Sequence, residues 1–193
     1  MRWYKLSEFV LFVAVVTLWG SYAQAQRFSA RLSGFDEIGG VGAAETGAIL
    51  TDATGTLQLD LDKKTSSISY TLTYTGPFSS QVQQAHIHFG KLRVAGGIIV
   101  WLCQTTAKPS PTPNLTPSCL TPAPSATVTG TLTAANVIGP TAQNVTVGDF
   151  DALEDALTSN TAYVNIHTAT FGAGEIRGQI KANEGHDENQ DHD

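Results

Sequence analysis

The feature that most constrains this chain is a strict two-residue alternation of apolar and polar side chains in short runs. Phe28, Ala30 and Leu32 make one such run, Leu57, Leu59 and Leu61 a second, and Ile68, Tyr70, Leu72 and Tyr74 a third. Side chains one residue apart in a strand point to opposite faces, so each run is a strand with one buried face. The polar stretch Asp62-Lys63-Lys64-Thr65 joins the last two runs as a hairpin. Further strands are expected over Gln81 to Phe89, Ile98 to Leu102, Ala126 to Thr133, Thr161 to His167 and Glu175 to Lys181, separated by breaks rich in Gly, Pro or Asn. About eight short strands imply an all-β fold, an antiparallel β-sandwich or closed barrel. One segment departs from the alternation. In GDFDALEDALTSN, Asp149 can cap a short connecting helix whose Phe150, Leu153 and Leu157 share a face.

The N-terminus assigns a compartment. Arg2 and Lys5 precede an apolar run from Phe9 to Trp19, followed by Ala23-Gln24-Ala25. That is the pattern of a secretory signal peptide over residues 1–25, cut before Gln26, and the run is too short to span a bilayer. A secreted or extracellular product is expected, periplasmic if the source is bacterial, with no integral membrane segment after cleavage. The remaining 168 or so residues suit one domain over 26–181. An acidic tail over 182–193 reads as solvated and disordered, with weak metal capture by His186 and His192 as the other use of that composition. The whole chain carries a formal net charge of −6 and has no Lys/Arg cluster, which excludes a nucleic-acid partner.

Two cysteines, Cys103 and Cys119, bracket a loop, and six of the eight prolines fall between Pro109 and Pro124. In an exported protein the simplest reading is a disulfide stapling an extended, mobile loop over 104–125. Asn114 and Asn144 begin glycosylation sequons that matter only in a eukaryotic source.

Histidine placement carries the chemistry. AHIHFG puts His86 and His88 on one face of a strand, and AYVNIHT puts Tyr163, Asn165 and His167 on one face of another, with Arg177 on the strand after a glycine turn. If the strands are neighbours, three imidazoles and a guanidinium converge. Imidazole suits copper, zinc and nickel, with Asn165 or Gln84 orienting a ring and Arg177 drawing in an anion. Protonation would then weaken binding as pH falls through ~6.5. The competing reading is a structural polar network in which the histidines, Glu175 and Arg177 bond to one another. No esterase elbow, phosphate loop, free cysteine nucleophile or H-E-x-x-H motif is present, so no residue is assigned as catalytic.

The segments ARLSGFDEIGGVGAAETG (30–47), AHIHFG (85–90) and YVNIHTATFGAGEIRGQI (163–180) together resemble the CHRD domain, named from chordin and frequent in exported microbial proteins. The resemblance implies an Ig-like β-barrel without assigned chemistry. FGKLRVAGG replaces the glycine-proline-alanine turn usual after AHIH, and the proline loop reads as an insertion. The order of H-x-H strand, lone histidine strand and arginine strand is also similar to copper-zinc superoxide dismutases. That likeness implies His86, His88 and His167 as copper ligands and Arg177 as an anion-steering group, without the zinc half of the site. The chain is therefore expected to be a non-enzymatic module for a protein, matrix or cell-surface partner; the alternative is a three-histidine copper or other transition-metal domain, with superoxide-type redox chemistry as its sharpest form.

Overall fold

The computed structural model describes residues 26–38, 40–41, 44–45 and 47–183. The signal peptide expected over 1–25 and residues 184–193 of the expected acidic tail lie outside the described residues. The alternating runs become β1 (Gln26–Ser33), β4 (Thr54–Asp62) and β5 (Ser67–Thr75), with the short pair β2 (Gly40–Val41) and β3 (Ala44–Glu45) between β1 and β4. β6 (Val82–Phe89), β7 (Gly97–Cys103), β8 (Ser125–Leu132), β9 (Ala162–Thr168), β10 (Ile176–Gln179) and β11 (Lys181–Ala182) follow. α1 (Phe150–Thr158) precedes β9, and Asp149 caps it by accepting from the Ala152 backbone N–H at 3.0 Å.

The main sheet runs β7-β6-β9-β10-β1-β4-β5-β8, with β11 also on β1, and every pair is antiparallel. Its two edge strands, β7 and β8, come into contact, so the sheet curls into a nearly closed all-β barrel. Tyr70 secures the seam. It stands opposite Gly130 on β8, and its hydroxyl donates to the Leu102 carbonyl of β7 at 2.7 Å. A Cβ at Gly130 would lie 2.7 Å from that ring, so only glycine lets the tyrosine cross. The alternating apolar residues fill the interior, among them Phe28, Leu57, Leu59, Ile68, Leu72, Val164 and Ile166. α1 adds Leu153 and Leu157 to the same core. Burying each such side chain is worth roughly 1.5–3 kcal/mol.

Ala182 and Asn183, expected in the tail, instead extend the domain: β11 pairs with β1, and Asn183 Oδ1 accepts from Ser29 Oγ at 2.6 Å. Cys103 and Cys119 form a disulfide. The proline segment does not run extended. It folds around Gln104, whose amide nitrogen donates to the Pro113 and Thr116 carbonyls at 2.7 Å and whose Oε1 accepts from Ser110 N at 2.8 Å. Tyr74 anchors the far side, donating to the Leu120 carbonyl at 2.6 Å. No helix of the described residues is long and apolar enough to cross a membrane.

Candidate metal centre

β6 lies between β7 and β9, and its register sets His86 opposite Asn165, His88 opposite Tyr163 and Gln84 opposite His167. Asn165 in turn faces Arg177 on β10. Because Val164 and Ile166 point into the barrel, Tyr163, Asn165 and His167 point outward beside His86 and His88. That outward face is not solvated. The β6–β7 connection, the β9–β10 turn and the segment after β1 cover it, and every residue of β9 is buried. Irregularities in the β6–β7 register fall beside both histidines of β6, as β-bulges that re-aim side chains do.

His86, His88 and His167 are 1%, 7% and 5% exposed, and one ligand nitrogen from each lies within 4.8 Å of the others. His86 Nδ1 stands 3.1 Å from His167 Nε2. The outer nitrogens are held by backbone: His88 Nδ1 is 2.9 Å from the Gly96 carbonyl and His167 Nδ1 is 3.0 Å from the Gly172 carbonyl. Burial pushes all three basicities down, to about 4 for His88 and His167, where the bonds to the Gly96 and Gly172 carbonyls oppose it, and well below the usual range for His86, where the neighbouring imidazoles add to it. They are neutral at neutral pH. Affinity for a cation should therefore hold until the pH approaches ~4, not fall through ~6.5 as free imidazoles imply.

Neutrality creates a conflict at His167. A neutral imidazole has one N–H, yet this ring meets an oxygen at each nitrogen: Gly172 O at Nδ1, and Asn165 Oδ1 at 2.9 Å from Nε2. One oxygen must face a lone pair. His88 Nε2 and His86 Nε2 are buried without a hydrogen-bond partner. A cation taking the lone pairs of His88 Nε2 and His167 Nε2 would give the first a partner and leave each Nδ1–H to its carbonyl, while His86, whose Nδ1 faces His167, would keep an unpartnered Nε2. Two nitrogens on one ion with bonds of about 2.0 Å lie at most about 4 Å apart. Three nitrogens in a tetrahedral set lie about 3.3 Å apart, so the widest pair would have to close by about 1.5 Å for this donor set to hold a transition metal.

Aromatic rings wall the group. Trp101 of β7 packs edge-on against His86, with centroids 4.2 Å apart. Tyr163 stacks on His88 at 4.6 Å, and the Arg177 guanidinium lies over the Tyr163 ring, 3.3 Å from its centroid. Arg177 Nη2 donates to the Val94 and Lys91 carbonyls at 3.0 and 3.3 Å, tying down the β6–β7 connection. Burial lowers its basicity, and Tyr163, Glu37 and Asp36 oppose that shift, so it stays charged.

Of the expected orienting residues, Asn165 reaches a histidine; Gln84 makes no such contact among the described residues. Glu175 also turns elsewhere. Its buried carboxylate accepts from Thr51 Oγ1, Ser79 N, Ser79 Oγ and Thr168 Oγ1, latching three loops together, and it forms no ion pair with Arg177. Although two residues apart, the pair do not share a pleat, because β10 begins only at Ile176. Glu37, Trp101 and Tyr163 are neighbours that sequence reasoning did not assign to the site. Glu37 is 2% exposed, and a Cβ at Gly174, where φ is +135°, would collide with its carboxylate and the Asn165 amide. Tyr163 shares the parity of Asn165 and His167, which was a usable signal; Glu37 sits in a loop and offered none.

No curated protein and no solved structure matches the chain. The family model of the CHRD domain matches residues 28–180, which spans β1 to the end of β10 and every residue of the histidine group, and the chain belongs to the CHRD domain family.

Proposed function

We propose that this CHRD domain, residues 26–181 by its sequence and extended to Asn183 by β11, is an exported transition-metal-binding module. Copper is the ion its donors fit best. The observation that carries the reading is the convergence of three neutral, buried imidazoles, two of which, His88 and His167, rest their outer nitrogens on the Gly96 and Gly172 carbonyls. Among divalent first-row ions such nitrogen sites favour copper, ahead of zinc. A bound copper ion supplies a one-electron centre, and superoxide-type redox chemistry is the sharpest form of this function. The Gly172 carbonyl holds the His167 ring with Asn165 beside its other nitrogen, Trp101 and Tyr163 exclude water, and Arg177 provides positive charge beside His88 for a small anion. Export is supported by the Cys103–Cys119 disulfide and the leader-like N-terminus.

A second reading, a module docking a protein, matrix or cell-surface partner, draws support from Phe35 and Leu50, which are 70% and 89% exposed on segments joined by the Ile49 N to Gly34 O hydrogen bond. Elemental analysis separates the two. Protein purified from copper- and zinc-supplemented medium should carry one copper per chain, lost in His86→Ala and His167→Ala alike. A metal-free wild type would leave the docking reading.

A further inference from the structure

The β9–β10 turn brings the Gly172 carbonyl to His167 Nδ1, 3.0 Å away. Packing does not fix that carbonyl: Ala169, Thr170, Gly172 and Ala173 are exposed, and a Cβ at Gly172 would touch nothing. Hydrogen bonds hold the turn instead. Phe171 N donates to Thr168 Oγ1 at 3.2 Å, while Thr168 N and Gly174 N donate to the Phe171 carbonyl at 3.3 and 3.1 Å. Thr168 therefore pins the residue before Gly172 at both its donor and its acceptor.

Thr168 is set in turn by the fully buried Glu175, whose Oε2 accepts from Thr168 Oγ1 at 2.7 Å. A carboxylate only accepts, so the single hydroxyl hydrogen of Thr168 goes to Glu175 and its lone pairs are left for Phe171 N. Glu175 Oε1 accepts from Thr51 Oγ1 and Ser79 N, each at 2.9 Å, which fixes the carboxylate from two other segments. At the far end of this chain of bonds, two oxygens compete for the one proton of His167. With the proton on Nδ1, the ring bonds Gly172 and turns a lone pair on Nε2 toward His86. With the proton on Nε2, it bonds Asn165 Oδ1 and closes that nitrogen to an ion.

We infer that Glu175 is a positioning residue for the histidine group: through Thr168 it holds the Gly172 carbonyl on His167 Nδ1, and so selects the ring form whose Nε2 can take an ion. The consequence for metal rests on the function proposed above, whereas the effect on the ring form does not. In Glu175→Gln, the Ser79 N–H keeps the amide oxygen, so the amide nitrogen falls on Thr168 Oγ1. That reverses the bond and competes with Phe171 N for the hydroxyl lone pairs. The turn loosens, and Asn165 takes the ring proton.

The test is long-range proton–nitrogen correlation of the imidazoles in the metal-free full chain, paired with copper calorimetry on the same samples. Wild type and Thr168→Ser, which keep the hydroxyl, should hold His167 in the Nδ1–H form. Glu175→Gln and Thr168→Val should move the ring to the Nε2–H form and weaken copper about tenfold. Thr168→Val keeps the side-chain shape, so it decides the matter if Glu175→Gln does not fold. A wild-type ring in the Nε2–H form, or an Nδ1–H ring in either folded variant, would overturn the assignment and leave Glu175 a structural latch. A shifted ring with copper affinity unchanged would overturn it too, because the ring form would then not matter to the ion. Wild type that binds no copper would refute the metal reading, while the ring forms would still decide whether Glu175 orients His167.

Discussion

His88 and His167 hold their basicity at about 4 inside the fold, against ~6.5 in an unfolded chain. Between those values the unfolded chain binds protons that the folded one refuses. Stability of the metal-free protein is therefore complete above pH ~6.5, declines as pH falls toward ~4 and levels off below, at up to ~1.4 kcal/mol per pH unit for each histidine. Urea midpoints measured across that window should show the decline, and His88→Gln should flatten it; a midpoint independent of pH would show that the rings are protonated or exposed. Trp101 offers a second residue-level readout, since it is the tryptophan of the described residues and lies 4.2 Å from His86. Copper(II) should quench its emission with a one-to-one endpoint while zinc should not, and emission unchanged by copper would place the ion elsewhere.

Elements are held in place by two devices that sit far apart in the sequence. Tyr70 reaches over Gly130 to the Leu102 carbonyl, so Tyr70→Phe should cost about 1–2 kcal/mol in chemical denaturation. A Gly130→Val substitution should cost more, because it displaces the ring; equal stabilities would mean that the seam closes without them. The disulfide ties β7 to the loop before β8, and replacing both cysteines by serine should cost about 3 kcal/mol from loop-closure entropy, unless the hydrogen bonds around Gln104 already order the segment in the unfolded ensemble. Strand alternation, the capped helix and the shared face of His86 and His88 were legible because each is a local, periodic signal. The bond of Glu175 to Ser79 and the seam across Gly130 were not, since both join residues from distant segments and leave no trace in spacing.

At the scale of the whole molecule, the centre is a product of barrel closure. His86 and His167 are 81 residues apart and meet only because the sheet order inserts β9 beside β6. What sequence could not convey is that loops bury the outward face of these strands, turning three polar-face histidines into buried, neutral rings. Burial and folding are coupled, so a tight ion should stabilise the entire barrel, by ~2.7 kcal/mol at a free concentration one hundred times its dissociation constant. Copper titrated into the full-length protein at pH 7.5, followed by calorimetry, tests this account most directly. It predicts one tight equivalent that disappears in His167→Gln, apart from any weak binding by the acidic tail. Absence of tight binding, or a tight equivalent that survives the substitution, would make His86, His88 and His167 a structural network and not a metal centre.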